Sequence, residues 1–314
     1  MAKRSFLSAV LIAPLLGFAQ QSSAPFSKPE SYALAVSVKE VQIRFHANDA
    51  SGNPVLDLRP EEIDVFDEGQ GPNKVVSMQH IQDSPLHVAF VLDTSGSALS
   101  QLARSRRQAK EVASVLLSSG QYDETSVITF DRSRHTLRSW SHDRTAVMSD
   151  LQAAKRIEHN LVDGTSVYDT IFNTCQHDFD SANAVHGTNA LLLFSDGVDT
   201  TSKSSLEAAI EACRKSETSI YAFNAASGPE KEQIETGVLR MLTEQTGGLL
   251  LLSNTDEGVI ADLQQLASRL RSEYVLSFKP SGLIRNGTFH HIVLAGPRRV
   301  AQINATPGFY APAG

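Results

Sequence analysis

The chain has 314 residues, of which 41% are hydrophobic and 20% charged, with a formal net charge of −7. That composition is globular and leaves ample chain for one or two cores. The acidity excludes bulk attraction to nucleic acid or to anionic membrane surfaces.

Residues 1–19 read as a secretory signal peptide: Lys3 and Arg4 lead an apolar run over 6–19, and Gly17 and Ala19 sit at −3 and −1 of a cut before Gln20. An uncleaved anchor or a buried N-terminal helix is the alternative. The run falls short of the roughly 20 residues a membrane span needs, and no later run is long and apolar enough, so the mature chain is expected to carry no span. It would be exported to a periplasm, a cell surface or the medium. This segment carries two basic and no acidic residues, so its removal takes the formal charge from −7 to −9.

A Ser/Pro/Gln-rich leader (20–31) precedes a β-type segment (32–83). Leu34, Val36 and Val38 alternate in one phase, and Val41, Ile43 and Phe45 resume it one residue out of step. A turn over 48–54, a strand over 63–67, a turn over 68–71 and a strand over 74–81 follow. From Leu86 the texture becomes β-α-β. Buried strands are predicted over 87–92, 126–130, 189–194, 219–223 and 248–252, with a short one over 135–140. Helices are predicted over 99–118, 144–155, 167–179, 204–215, 230–246 and 257–270. The 99–118 helix has Leu102, Ala109, Val112, Ala113, Leu116 and Leu117 on a 3.6-residue period. This alternation argues for an α/β, Rossmann-like doubly wound, mostly parallel sheet over 86–270. Segment 271–312 returns to β, with strands at 273–279, 288–294 and 300–304. The economical reading is a β-sandwich of about seven strands formed by both flanks, with two separate β units as the alternative.

Cys175 and Cys213, the only cysteines, fall on two predicted helices. They are too few for a disulfide framework and have no zinc-type spacing. An oxidising compartment would allow them to pair; two core thiols are the other reading. Asn286 and Asn304 head glycosylation-type triplets, uninformative without the host.

The chemistry concentrates in Asp93-Thr-Ser-Gly-Ser97, directly after a buried strand. Loops at the carboxyl ends of such strands line the ligand crevice of a doubly wound sheet. Asp93 supplies a carboxylate, Ser95 and Ser97 hydroxyls, and Gly96 a tight turn. Asp196-Gly197 follows another buried strand, and Asp163-Gly-Thr-Ser166 opens a helix, so all three loops should reach one edge. Their donors are all oxygen, which suits Mg²⁺, Mn²⁺ or Ca²⁺ and not zinc.

These residues resemble the metal-ion-dependent adhesion site of von Willebrand factor type A domains. Asp93, Ser95 and Ser97 match the first element of that pattern, Thr165 the second and Asp196 the third. The resemblance implies that the hydroxyls bind the ion directly or nearly so, that the two Asp act directly or through water, and that one position stays open for an Asp or Glu carboxylate of a protein partner. It also implies that ligand engagement shifts the last helix, 257–270. Ala98-Leu-Ser-Gln101 lacks the acidic residues that create a neighbouring ion site in some integrin-type domains. The flanks are similar to those of bacterial proteins of this type: Asp49-x-x-Gly52-x-Pro54-Val55-x-x-Leu58, then Glu62-x-x-Val65-Phe66-x-Glu68-x-Gln70, and later Tyr274-Val-Leu-x-Phe-x-Pro280 and Gly308-Phe-Tyr310.

Other chemistries fit less well. Ser95 interrupts an aspartic-protease Asp-Thr-Gly, and the βα pattern contradicts that all-β fold. Ser95 also replaces the second Asp of a haloacid-dehalogenase motif. No phosphate-binding Gly-x-x-x-x-Gly-Lys loop and no Gly-x-Ser-x-Gly elbow occurs. The expectation is therefore a binding protein and no enzyme. A metal-dependent hydrolase and a structural envelope or matrix component are the alternatives.

Overall fold

A computed structural model describes residues 40–82, 85–117, 123–156, 163–179, 187–224, 229–252, 263, 266–267, 269–280 and 287–311. The signal-peptide, leader and 34–38 expectations, most of the 257–270 helix and Asn286 lie outside the described residues.

The α/β part is a six-stranded sheet, built from β4 (Leu86–Asp93), β5 (Glu124–Phe130), β6 (Arg134–Ser141), β7 (Thr188–Ser195), β8 (Thr218–Asn224) and β9 (Leu249–Leu251) in the order β6-β5-β4-β7-β8-β9. All neighbours are parallel except β5 and β6, which close one edge antiparallel. Every residue of β4 and of β7 is buried, as strands covered on both faces require. Alternation divides the two cores. Val88, Phe90 and Leu92 pack with Ala109, Val112 and Leu116 of α1 (Leu102–Leu116) and with Val147 and Leu151 of α2 (Arg144–Ala153). Ala89 and Val91 point the other way. They join Val167 and Ile171 of α3 (Val167–Asn173), Ala209 and Cys213 of α4 (Leu206–Lys215), and Leu239 and Leu242 of α5 (Pro229–Glu244).

The strands lie where the alternation places them, and two helices differ in detail. The expected 99–118 helix begins at Leu102, because Ala98, Gln101 and Leu102 each donate to the carbonyl three residues back, a tighter winding than an α-helix allows. The expected 167–179 helix widens to π geometry over Thr174–Asp178. There Thr174 Oγ1 bonds back to the Thr170 carbonyl at 2.8 Å, a competition with the backbone ladder that distorts helices. Cys175 lies in that widened turn and forms a disulfide with Cys213 of α4, resolving the two readings of the cysteine pair.

The flanks combine into one antiparallel sheet of seven strands. These are β1 (Val41–Asn48), β2 (Asp64–Asp67), β3 (Gln70–Gln82), β10 (Ser272–Lys279), β11 (Phe289–Ala295), β12 (Gln302–Ala305) and β13 (Gly308–Tyr310), in the order β12-β1-β10-β3-β2-β11-β13. The sheet closes over its own core in sandwich fashion, so that Phe278 of β10 meets Phe309 of β13 edge-on at 6.0 Å although three strands separate them in the hydrogen-bonding order. Val41, Ile43, Phe45, Val65, Leu276 and Ile292 fill that core. Tyr274 stacks on Phe45, donates its hydroxyl proton to the Val55 carbonyl and accepts from the Leu58 amide, each at 3.0 Å, which fixes the irregular 49–59 stretch.

Candidate metal centre

Strand order decides where a ligand can sit. From β4 the chain crosses through α1 to β5 on one side, and from β7 it crosses through α4 to β8 on the other. The carboxyl ends of β4 and β7 therefore flank the topological switch point, where helices diverge and leave a crevice. Asp93 is the last residue of β4, and Asp196 follows the last residue of β7.

The first loop is held from both sides. Asp93 Oδ1 accepts from the Ser95 amide at 2.9 Å, and Asp93 Oδ2 accepts from the Ser195 hydroxyl at 2.6 Å. Thr94 ties the loop to β5: its amide donates to the Phe130 carbonyl at 2.7 Å and its hydroxyl donates to the same oxygen at 3.0 Å. Ser95 and Ser97 bring their Oγ atoms within 3.3 Å of each other. Asp93, Ser95, Thr165 and Asp196 are buried, while Ser97 and Gly96 are exposed, so the site opens on one side only.

The other two loops adjoin it. A Cβ placed on Gly96 would lie 3.5 Å from Asp163 Oδ1, which brings the 163–166 loop against the first one. Thr165 donates its amide to Thr200 Oγ1 at 2.9 Å, and its carbonyl accepts from the Thr200 and Thr201 amides at 2.9 and 3.1 Å. Ser166 donates its amide to the Asp131 carbonyl, fastening the same loop to β5. Asp196 Oδ1 accepts from the Val198 amide at 3.1 Å around Gly197, whose φ of 82° lies in the left-handed region. A Cβ on Gly164 would come within 2.6 Å of Thr201 Cγ2, so this close approach of the second and third loops needs glycine.

Buried negative charge dominates the electrostatics of these loop ends. Burial pushes the Asp93 carboxyl up to about 6, hydrogen bonds from Ser195 and Ser95 oppose the rise, and the negative charge of Asp196 adds to it. Among the described residues no Lys or Arg is ion-paired with Asp93 or Asp196. Two neighbouring buried carboxylates with hydroxyl oxygens around them fit a hard divalent cation, which would offset their mutual repulsion and their lost hydration.

Ser195 and Thr200 are the positioning residues that motif reasoning passed over. Ser195 stood in plain view beside Asp196, but its role follows only from the side-by-side pairing of β4 with β7. A separate group, Asp67, Glu68 and His290, brings three possible ligand atoms within 4.8 Å of one another in the flanking sheet. Its bonds are already used to join β2 to β11. His290 Nδ1 shares a proton with Asp67 Oδ1 at 3.1 Å, and Glu68 Oε1 accepts from the His291 amide at 2.6 Å.

A family model described as the von Willebrand factor type A domain matches residues 87–269. Among solved structures, the conserved hypothetical protein BatB from Bacteroides thetaiotaomicron is 16% identical, with a TM-score of 0.47 over 59% of this chain and 98% of that one. The manganese-loaded TRAP protein of Plasmodium vivax is 13% identical, with a TM-score of 0.47 over 71% of this chain and 98% of that one. Proximal thread matrix protein 1 from the mussel byssus, solved with a zinc-occupied MIDAS motif, is 15% identical, with a TM-score of 0.48 over 64% of this chain and 50% of that one. No curated protein matches.

Proposed function

The chain belongs to the von Willebrand factor type A domain family, and on that premise we propose that it is an exported binding protein, not an enzyme, that grips a carboxylate of a protein partner through a divalent cation. Asp93, Ser95, Ser97, Thr165 and Asp196 would hold the ion, Mg²⁺ or Mn²⁺ by preference and Ca²⁺ as a further option. When bound, the ion supplies positive charge and an open coordination position for an Asp or Glu of the partner.

This chain's own residues do the rest. Ser195 and the Ser95 amide hold the Asp93 carboxylate in one orientation. The Gly96 turn keeps the Ser95 and Ser97 hydroxyls together and leaves the approach open. The observation that carries the reading is the meeting of two buried, unneutralised carboxylates with paired serine hydroxyls at the sheet's switch point. The Cys175–Cys213 bond and the three-part N-terminal pattern support export. No helix among the described residues is long and apolar enough to cross a membrane.

Calorimetry with Mg²⁺ and Mn²⁺ tests the ion, and a pull-down from the source organism with and without chelator tests the partner. Uptake of about one ion per chain and partners lost in chelator are expected. Absent uptake, or the same partners in both conditions, would sink the proposal.

A further inference from the structure

Two arginines stand beside the loops that carry the candidate ligands. Arg132, exposed at the tip between β5 and β6, has its Cγ 3.5 Å from a Cβ placed on Gly164, the neighbour of Thr165. Arg156 has Nη1 3.6 Å from a Cβ placed on Gly96, between Ser95 and Ser97. The chain as a whole is acidic, at −7, so basic groups at this rim run against the general charge. They place positive charge beside the carboxylates of the candidate centre.

The two arginines differ in availability. Arg156 is paired with Asp163, whose side chain is 74% exposed and sits over the Gly96 turn. Arg132 makes no ion pair among the described residues. The adjacent Asp131 is occupied elsewhere: its Oδ1 accepts from the Ser133 amide at 3.0 Å and lies 3.6 Å from His135 Nε2. One guanidinium beside the site is thus already answered by an internal carboxylate, and the other is not.

We propose that the partner presents two acidic side chains within a few residues of each other, one directed to the ion and the second read by Arg132, while Asp163 withholds Arg156 from the same task. The inference rests on the proposed function and adds the partner's chemistry to it. A guanidinium fork suits this role because it accepts a carboxylate in bidentate geometry. An extended peptide can present both carboxylates to one surface, since residues two apart project on the same side at a spacing on the order of 7 Å.

The test uses the full chain in Mg²⁺ and two synthetic probes amidated at the C-terminus, Gly-Gly-Asp-Gly-Asp-Gly-Gly and the same peptide with the second Asp replaced by Asn. Binding is followed by fluorescence anisotropy of labelled peptide. The diacid is expected to bind about tenfold tighter, a gap of about 1.4 kcal/mol. Arg132→Ala should erase that gap without weakening the monoacid peptide, and Asp163→Asn should widen it by releasing Arg156. Arg132 and Asp163 are both exposed, and circular dichroism and melting temperature confirm that each variant folds. An unchanged diacid-to-monoacid ratio in Arg132→Ala overturns the inference, as does failure of both peptides to bind. Discrimination that persists in chelator and in Asp93→Ala would uphold the arginine role and overturn the metal reading instead.

Discussion

Ser195 donates its hydroxyl proton to Asp93 Oδ2 across 2.6 Å and so joins the final residue of β7 to the final residue of β4. Ser195 Oγ in turn accepts from the Gly197 amide at 3.0 Å, which fixes the turn carrying Asp196. One hydroxyl therefore orients both carboxylates of the candidate centre without being a proposed ligand. Outer residues of this kind, when removed, typically weaken metal affinity 10- to 100-fold. Ser195→Ala is expected to lower Mg²⁺ affinity within that range, and to lower the melting temperature of the metal-free chain because the buried Asp93 carboxylate loses a donor. Calorimetric titration measures it, and an affinity equal to wild type would reduce Ser195 to a loop pin.

The buried carboxylate pair sets function against stability. Asp93 is 1% exposed and Asp196 5%, so the folded metal-free chain bears two poorly hydrated, like charges. Ligand binding to the folded state stabilises it by RT ln(1 + [L]/Kd), about 2.7 kcal/mol at a hundredfold excess over Kd. Mg²⁺ should therefore raise the melting temperature of wild type, and chelator should reverse the rise. Asp93→Asn keeps the shape and loses the charge. It should abolish the Mg²⁺ shift yet melt no lower than wild type in chelator. A Mg²⁺ shift that survives in this variant would place the ion elsewhere.

Much of this was legible from residue order alone. Asp93, Ser95 and Ser97 are close in sequence, and a buried strand before them fixes which sheet edge they occupy. Thr165 and Asp196 needed only the doubly wound topology. Positions set by side-by-side pairing were hidden. Ser195 reaches Asp93 because β4 lies next to β7 in parallel register, Leu92 beside Phe194, and nothing in a single strand announces its neighbour. The 174–178 π turn was hidden for a different reason. It depends on a side-chain bond from Thr174 to Thr170, whereas hydrophobic period records only which face is buried. The flanking sheet was readable as β texture. Its strand order, with β10 between β1 and β3, arises from contacts more than two hundred residues apart, such as Phe45 with Tyr274.

The disulfide closes a loop of 38 residues between the π turn and α4. Constraining the unfolded chain by a loop of this length contributes on the order of 4 kcal/mol. Cys175→Ser with Cys213→Ser is expected to lower unfolding free energy by about 2–4 kcal/mol. The Mg²⁺ shift should remain, because neither sulfur is near the candidate centre's hydrogen-bond network. Urea denaturation of the double variant checks the first point and thermal shift the second. A stability equal to wild type would show that closing this loop adds nothing net to the stability of the fold.

Asp123, directly before β5, anchors the entry to the neighbouring strand β4. Its Oδ1 accepts from the Leu86 amide at 3.0 Å and from Arg271 Nη1 at 2.9 Å, and its Oδ2 pairs with Arg271 Nη2. The Asp123 side chain is only 3% exposed and that of Arg271 16%. Arg271 directly precedes β10, so this pair fastens the start of the central α/β strand to the return of the chain into the flanking sheet. Removing one partner of such a pair leaves a buried charge uncompensated, at a typical cost of about 3–5 kcal/mol. Asp123→Ala should lose that much in urea denaturation. Arg271→Met on top of it removes the stranded charge and should recover part of the loss. If Asp123→Ala is as stable as wild type, the ion pair is incidental to the fold.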